Sequence, residues 1–317
     1  MTRFKAQTQN SSQMGPMPNT VARTKLGVYM VSKEKDDPIF SMSCMLQFLH
    51  HDLVLQENQI PWFALDILFN KTKGPSETKS LIELALHFLG NVFSSDSLPL
   101  ERIPNLFEHQ KIKHILDLLR LSLVLPSKEV KNYEGNWPSN QQNLEWKPIP
   151  SATNLKEAGV KFVRVNADSI LDMKFRNGAL EIPPLLIQET TETVFRNLIS
   201  YEQCLPNCSP IFTCYAKIMD NLIDTTNDME ILCKMQIFDN WLSPEDATQF
   251  FNKLYNDTYV KEFYFYELCN ALEHHCQQWW PKWRASYVQN YFTKPWAIAA
   301  QIYAIIMFIL TFWQTYK

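Results

Sequence analysis

The stretch WAIAAQIYAIIMFILTFW, residues 296–313, decides the predicted architecture of this chain. It contains no charged residue, and only Gln301 and Thr311 are clearly polar. As a helix it would be about 27 Å long, which is close to the roughly 30 Å hydrocarbon core of a bilayer. The sequence therefore predicts a single C-terminal transmembrane helix, and the alternative is a buried terminal helix in a soluble core. The residues expected to span the membrane include Trp296, Ile298, Ile302, Ile305, Phe308, Leu310 and Trp313.

The charges that flank this run predict its orientation. Lys282, Arg284 and Lys294 precede it, whereas only Lys317 follows it. Because basic residues are enriched on the cytoplasmic side of transmembrane helices, we expect the body of the protein to face the cytoplasm. The prediction is a single-pass membrane protein whose C-terminal helix has membrane lipid as its partner. The sequence leaves open whether this is the plasma membrane or an endomembrane.

Composition divides the rest of the chain into a polar N-terminal segment and a helical body. Residues 1–37 are polar and aperiodic, which predicts a disordered segment. Apolar residues then recur at helical spacing over most of 38–294. A polar, proline-punctuated stretch at 126–150 interrupts the pattern and predicts a flexible loop. Residues 295–317 form the predicted tail anchor.

Short local signals mark several helix boundaries in the body. Pro104 precedes an apolar helical pattern, and proline is tolerated in the first turn because its missing N–H needs no partner there. Ser76 precedes a helical pattern that stops at Gly90. Ser243 is followed by a proline and two acidic residues, which predicts a helix over 244–255.

The convincing β signal lies in the middle of the body. VKFVRV (160–165) alternates in polarity, and the runs ILDMKF (170–175) and ALEIPPLLI (179–187) flank the pair Asn177-Gly178. An Asn-Gly pair between such runs predicts a β-hairpin. Pro183-Pro184 ends the second strand or places it at an edge. The predicted fold class is mainly α: a helical domain with one small β-hairpin and a single C-terminal transmembrane helix.

Known catalytic and metal-binding patterns are absent from the sequence. The net charge of −3 argues against a nucleic-acid partner bound through bulk electrostatics. The chain has no nucleophile-elbow, zincin or Walker motif. Cys204, Cys208 and Cys214 lie close together, but their spacing is not a standard zinc spacing. We therefore predict no cofactor, no metal and no catalytic residue, and we favour a protein that is not an enzyme.

Several separated segments resemble a plant family known as domain of unknown function 247. They are DLVLQENQIPWF (52–63), SATNLKEAGVKF (151–162), GALEIPPLLI (178–187), TETVFRNLISYEQC (191–204), YAKIMDNLIDT (215–225), NWLSPEDATQFFNKL (240–254) and WWPKWRASYVQNYFTKPW (279–296). The resemblance covers roughly residues 38–317. It implies a tail-anchored, mostly helical plant protein, and because some grass relatives are associated with pollen–stigma self-incompatibility it suggests recognition by an unknown protein partner. Residues 1–37 do not resemble the N-terminal region usual in the family.

The family resemblance also identifies a set of signature residues. They are Glu57, Asn58, Gln59, Pro61, Gly178, Pro183 and Pro184. The block from Glu57 to Pro61 has a functional interpretation, a polar recognition edge. It also has a structural one, which we favour: Asn58 and Gln59 cap the helix that Pro61 opens, and Glu57 faces its first turn.

Three hypotheses about function follow from these observations. The first is a non-enzymatic, tail-anchored plant membrane protein for protein–protein recognition or signalling. The second is a membrane-bound enzyme with an unrecognised site, which a cavity with several convergent ionisable groups would favour. The third is a truncated family fragment without a function of its own.

Overall fold

The computed structural model describes most of the body and a few residues of the C-terminal run. The described residues are 43–75, 78–90, 92–93, 106–127, 148–206, 208–254, 260, 263–277, 303, 306, 307, 309–311, 313 and 314. They fall in two compact units: the first holds 43–49 and 73–75, and the second holds the others. The predicted disordered segment 1–37 and most of the predicted loop 126–150 lie outside the described residues.

Helices make up most of the described body, so the prediction of a mainly α protein is confirmed. Their bounds are α1 Ser43–Val54, α2 Trp62–Thr72, α3 Leu81–Leu89, α4 Ile115–Val124, α5 Ala152–Glu157, α6 Thr191–Cys204, α7 Ile211–Leu222, α8 Thr226–Lys234, α9 Pro244–Leu254 and α10 Tyr266–Gln277. A short 3-10 turn, Gln56–Asn58, lies between α1 and α2.

The structure contains two small sheets, and the predicted hairpin is part of one of them. The strands are β1 Lys161–Arg164, β2 Lys174–Arg176, β3 Ala179–Ile182, β4 Leu185–Ile187 and β5 Phe238–Asn240. The predicted hairpin is present, because β2 and β3 pair antiparallel with Arg176 opposite Ala179. However, β1 also pairs with β3 in parallel, and β4 pairs in parallel with the distant β5. The prediction of one hairpin therefore missed the two parallel strand pairings, β1 with β3 and β4 with β5.

Two helix starts differ from the predicted ones. The helix that stops at Gly90 begins at Leu81, and its cap is Ser80 rather than Ser76. Ser80 and Glu83 form a capping box, in which the Ser80 hydroxyl accepts from the Glu83 N–H and the Ser80 N–H donates to the Glu83 carboxylate. The apolar stripe predicted to form one helix after Pro104 is divided: Leu106 and Phe107 are helical, residues 108–114 are not, and α4 begins at Ile115. Pro104 itself lies outside the described residues.

The hydrophobic core lies in the second unit and is centred on α6, α7 and α9. Phe195 on α6 contacts aromatic rings on both neighbouring helices, with ring centroids 4.9 Å from Phe212 and 5.6 Å from Phe250. Edge-to-face pairs of this kind stabilise by roughly 0.5–1.5 kcal/mol each beyond the burial of their area. This packing holds the start of α7 against α6, which positions the polar cluster described below.

The C-terminal run is described at eight positions, all of them helical and exposed. Within the described ranges, no helix has both the length and the apolar character needed to cross a membrane. The predicted spanning residues Leu310 and Trp313 are among the eight exposed positions. The other predicted spanning residues and the flanking charges lie outside the described residues: Trp296, Ile298, Ile302, Ile305, Phe308, Lys282, Arg284, Lys294 and Lys317.

Candidate functional site

The signature residue Gln59 joins the segment before α2 to the start of α4. Its side-chain Nε2 donates to the carbonyl oxygens of Leu53 and Leu55, at 2.9 and 2.6 Å. Its Oε1 accepts a hydrogen bond from the backbone N–H of Leu116 at 2.9 Å. Leu116 lies in the first turn of α4, where backbone N–H groups have no partner within the helix. One amide therefore satisfies carbonyl groups near the end of α1 and an N–H group of α4.

The predicted capping of α2 by these residues was wrong. Gln59 caps α4 instead, and Asn58 Nδ2 donates to the carbonyl of Asp52, at 3.4 Å. The carbonyl oxygen of Pro61 accepts from Ala64 N–H, and α2 begins at the next residue, Trp62, as its proline predicted. A structural interpretation of the block holds, but its target is the neighbouring helix rather than its own.

Helix α2, which follows the signature block, buries none of its residues. Three apolar side chains of α2 are exposed, and so is the side chain of Ile60, the residue before Pro61. We call these four residues the α2 surface: Ile60, Phe63, Ile67 and Leu68, which are 51–69% exposed. The start of α2 is held in place, because Trp62 packs on a small buried cluster and its N–H donates to the Lys113 carbonyl at 2.7 Å. An exposed apolar surface on a helix that is fixed to the protein body is typical of an interaction site.

The other signature residues have backbone roles. Asn177 and Gly178 both have positive φ, 52° and 74°, as the tight hairpin turn between β2 and β3 requires. A Cβ atom at Gly178 would lie 3.2 Å from Cε1 of His275, so the turn also needs the small residue for a close approach. Pro183 and Pro184 separate β3 from β4, as predicted.

A buried ion pair between α4 and α6 forms the centre of the second candidate site. Arg120 Nε donates to Glu202 Oε1 at 2.8 Å, and Arg120 Nη2 donates to the carbonyl of Ser209 at 2.6 Å. The Glu202 carboxylate also accepts from the N–H groups of Phe212 and Thr213 and from the Thr213 hydroxyl. Glu202 thus neutralises a buried guanidinium and caps the first turn of α7.

A cavity of about 410 Å³ lies beside this ion pair, and we call it the Arg120 cavity. Lys113, Asp117, Tyr201 and Cys208 line it together with Arg120. Asp117 accepts from the Tyr201 hydroxyl at 2.7 Å and from the Lys113 N–H at 2.9 Å. Burial and the hydrogen bond to Asp117 raise the pKa of Tyr201.

The cysteines singled out by spacing do not converge in the structure. Cys204 is exposed, Cys208 lines the Arg120 cavity, and Cys214 is buried in α7. Burial raises the pKa of Cys208, and burial raises the pKa of Cys214 to about 12. In the part of the chain that the structure describes, no group of histidine, cysteine and acidic residues could hold a metal ion.

Sequence reasoning did not find Arg120, Glu202 or Tyr201. One signal was available, because Arg120 and Asp117 are charged residues inside the otherwise apolar helix ILDLLRLSLV. Charged residues in an apolar stripe are rarely buried unless they are paired. The sequence could not show that the partner of Arg120 lies on α6.

Comparison with known proteins gives a family and a few relatives. The profile of a family described as a plant protein of unknown function, DUF247, matches residues 2–310. The match includes most of residues 1–37, so the expectation that this segment falls outside the family was wrong. No solved structure matches the chain.

Two curated relatives come from Arabidopsis thaliana. UPF0481 protein At3g47200 is 27% identical over 299 residues, which are 88% of this chain and 62% of the relative. Putative UPF0481 protein At3g02645 is 25% identical over 175 residues, 53% of this chain and 33% of the relative. The chain therefore spans less than two thirds of the length of these relatives.

Proposed function

The chain belongs to the DUF247 family of plant proteins of unknown function, and on that premise we propose that it is a tail-anchored membrane protein whose helical body recognises another protein. The observation that carries the recognition part is the α2 surface. The tail anchor rests on the composition of residues 296–313. The orientation with the body in the cytoplasm rests on the basic residues that precede this run.

The α2 surface supports recognition because it is apolar, exposed and fixed in position. Phe63, Ile67 and Leu68 lie within two turns of one helix, and each is more than half exposed. Gln59 holds the segment just before them through hydrogen bonds to backbone groups on two helices. Aromatic and aliphatic side chains on a rigid element lose little conformational entropy on binding, which favours a protein partner.

The C-terminal run supports an anchor through its composition and its described residues. Six apolar residues are exposed on this helix: Tyr303, Ile306, Met307, Ile309, Leu310 and Trp313. At 100° per residue they cover an arc of about 160°, which is wider than the apolar stripe of roughly 100° on a typical surface helix. These apolar side chains are not packed into the core, which is what a lipid-facing helix requires.

The ionisable groups at the Arg120 cavity fit a structural role better than a catalytic one. It meets the geometric condition of the enzyme hypothesis, because ionisable groups converge on it. However, burial raises the pKa of both Tyr201 and Cys208 above their ordinary values. A general base needs a pKa near neutrality, and a nucleophilic cysteine needs a lowered one. We therefore place recognition ahead of catalysis.

Proximity labelling of the full chain in plant cells tests the recognition part. The double variant Phe63→Glu/Ile67→Glu changes the α2 surface, and Trp241→Glu changes an aromatic residue that is 68% exposed elsewhere. We expect a set of neighbours labelled by the unchanged chain and by Trp241→Glu to be lost with the double variant. An unchanged set of neighbours with the double variant would contradict recognition through this surface.

Alkaline carbonate extraction of cell membranes tests the anchor separately. We expect the full chain to stay with the membrane and the double variant Ile306→Arg/Leu310→Arg to move to the soluble fraction. Each arginine near the centre of a membrane helix costs about 2.5–3.5 kcal/mol of insertion free energy. Leu310→Phe is the matched control and should stay with the membrane. Release of the unchanged chain by carbonate would rule out an integral anchor.

A further inference from the structure

The Arg120 cavity has the size and the mixed lining of a small-molecule site. Its volume of about 410 Å³ lies within the roughly 300–1,000 Å³ typical of ligand pockets. Part of its lining is apolar and comes mainly from α4 and the start of α7: Leu121, Val124, Leu125 and Ile211. Three cationic residues, Lys111, Lys113 and Arg120, also line it. An amphiphilic ligand would match both kinds of lining residue.

The positive charge in the cavity exceeds the negative charge. Three cationic side chains line it, whereas Asp117 is its acidic lining residue and Glu202 lies behind Arg120. With both carboxylates counted, one net positive charge remains. Neither Lys111 nor Lys113 forms an ion pair with any described residue. The cavity thus holds ammonium groups without a counterion from the described part of the chain.

Hydrogen-bonding capacity is also unbalanced in favour of donors. The guanidinium of Arg120 has five N–H donors; its Nε and Nη2 donate to Glu202 and Ser209, and its Nη1 has no acceptor among the described residues. The carboxylates are already engaged, because Glu202 accepts four hydrogen bonds and Asp117 accepts from Tyr201 and from the Lys113 N–H. Among the charged groups at this cavity, a ligand would therefore meet cationic N–H donors without a carboxylate partner and carboxylates that are already engaged.

We infer that the Arg120 cavity binds a small organic anion, with a carboxylate or phosphate group against Arg120, Lys111 and Lys113 and an apolar body against Leu121 and Leu125. Oxyanions accept hydrogen bonds from guanidinium and ammonium groups and bring the missing negative charge. Glu202 fixes the position of Arg120 before the ligand arrives, which reduces the ordering cost of binding. The inference does not depend on the anchor or on the α2 surface.

Isothermal titration of the full chain in a neutral detergent tests this inference directly. Phenyl phosphate and benzoate serve as anionic probes, and benzyl alcohol is the neutral match of the same aromatic body. We expect saturable binding of at least one anion, with benzyl alcohol weaker by about tenfold or more, as the loss of a charge-assisted hydrogen bond implies. The ratio of the two anion affinities shows whether a phosphate or a carboxylate is preferred.

Two kinds of variant separate the charge contribution from the apolar contribution. Lys111→Gln/Lys113→Gln changes two exposed lysines that line the cavity, and should weaken anion binding by about tenfold. Lys253→Gln, at an exposed lysine of α9 that does not line the cavity, is the matched control and should leave binding unchanged. Leu121→Trp replaces an apolar lining residue with a larger one, so it should fill part of the cavity and abolish binding of both probes.

Three results would overturn the inference. One is the absence of saturable binding for both anions. Another is equal affinity for benzyl alcohol and the anions, which would remove the role of charge. The third is equal anion affinity in the Lys111→Gln/Lys113→Gln variant and the unchanged chain. Both substituted lysines are exposed, so far-ultraviolet circular dichroism should confirm that this variant folds like the unchanged chain.

Discussion

Glu202→Gln should destabilise the protein strongly, and the structure provides a matched comparison on the same helix. Glu202 pairs with Arg120 at 2.8 Å, with side chains that are 0% and 9% exposed. Glu192 pairs with Arg196 at 2.9 Å, with side chains that are 49% and 45% exposed. Both pairs join an arginine Nε to a glutamate Oε1, so the comparison changes burial at nearly constant geometry.

The magnitude follows from the four hydrogen bonds that Glu202 accepts. In Glu202→Gln the remaining oxygen can still accept from Arg120 and Phe212, but the new amide group replaces the oxygen that accepts from Thr213. A buried N–H without an acceptor costs about 1–3 kcal/mol. Removal of one partner of a buried ion pair costs about 3–5 kcal/mol in total. We therefore expect a loss of about 4 kcal/mol for Glu202→Gln and less than about 1 kcal/mol for Glu192→Gln.

Urea unfolding of the full chain, followed by far-ultraviolet circular dichroism, measures both values. The double variant Glu202→Gln/Arg120→Met adds a thermodynamic cycle, because it removes the unpaired buried charge. We expect the double variant to lose at least about 1 kcal/mol less than the sum of the two single variants. Equal losses for Glu202→Gln and Glu192→Gln would refute the reasoning from burial. A broad, non-cooperative transition in the unchanged chain would instead favour the fragment hypothesis.

Three further predictions follow from individual contacts. Asp228 is buried and accepts four hydrogen bonds from Thr153 and Thr225; burial would raise its pKa, but these bonds outweigh burial and lower the pKa. The ionised Asp228 carboxylate should therefore stabilise the fold fully above the ordinary aspartate pKa of about 3.9, and this stabilisation should be lost as the pH falls through the lower pKa of the folded protein. Between these two pKa values, the urea midpoint of Asp228→Asn should vary less with pH than that of the unchanged chain. Gly178→Ala should lower the unfolding free energy by about 1–2 kcal/mol, because φ is 74° and the new Cβ would lie 3.2 Å from His275; differential scanning calorimetry measures this, and an unchanged melting temperature would contradict it. Because burial raises the pKa of Cys208, iodoacetamide should alkylate it slowly at neutral pH, at a rate that still increases above the ordinary thiol pKa of about 8.5; peptide mass spectrometry measures this rate, and a rate that levels off below that pH would contradict the prediction.

Local signals predicted the elements that depend on local chemistry. Ser243 and Pro244 predicted a helix over 244–255, and α9 covers Pro244–Leu254 with the Ser243 hydroxyl accepting from Asp246 N–H at 3.0 Å. Asn177-Gly178 predicted the hairpin, because the turn needs positive φ at both positions. In each case the determining residues lie within four positions of one another, so the sequence contains the whole interaction.

The same rule explains the wrong helix start at Ser76. A capping box needs Glu or Gln three residues after the capping residue. Ser80 has Glu83 at that distance, whereas Ser76 has Lys79. Both serines precede the same apolar pattern, and the spacing to the acidic residue separates them. The information that distinguishes the two serines is therefore local and present in the sequence.

Long-range pairing could not be predicted from the sequence in the same way. β4, Leu185–Ile187, has three apolar residues without alternation, and its partner β5 is more than 50 residues away, at Phe238–Asn240. A short apolar run fits a buried strand and a buried helix equally well. The hydrogen bonds of such a strand are fixed by packing, which places α8 next to β5. The two-stranded sheet therefore follows from the tertiary fold rather than from its own residues.

The Arg120 site depends both on residues close together in the sequence and on a partner far along the chain. The sequence of α4 shows that Asp117 and Arg120 interrupt an apolar helix, and the packing of that helix makes their burial unavoidable. Buried charges must then find partners, but the partner of Arg120 follows it by 82 positions. Glu202 meets this need and also caps α7, so it could not be removed without loss of both interactions. Because Glu202 neutralises this guanidinium, the net positive charge that would attract the proposed anion comes from Lys111 and Lys113, of which Asp117 offsets one. Arg120 contributes N–H donors whose position Glu202 and the Ser209 carbonyl already fix.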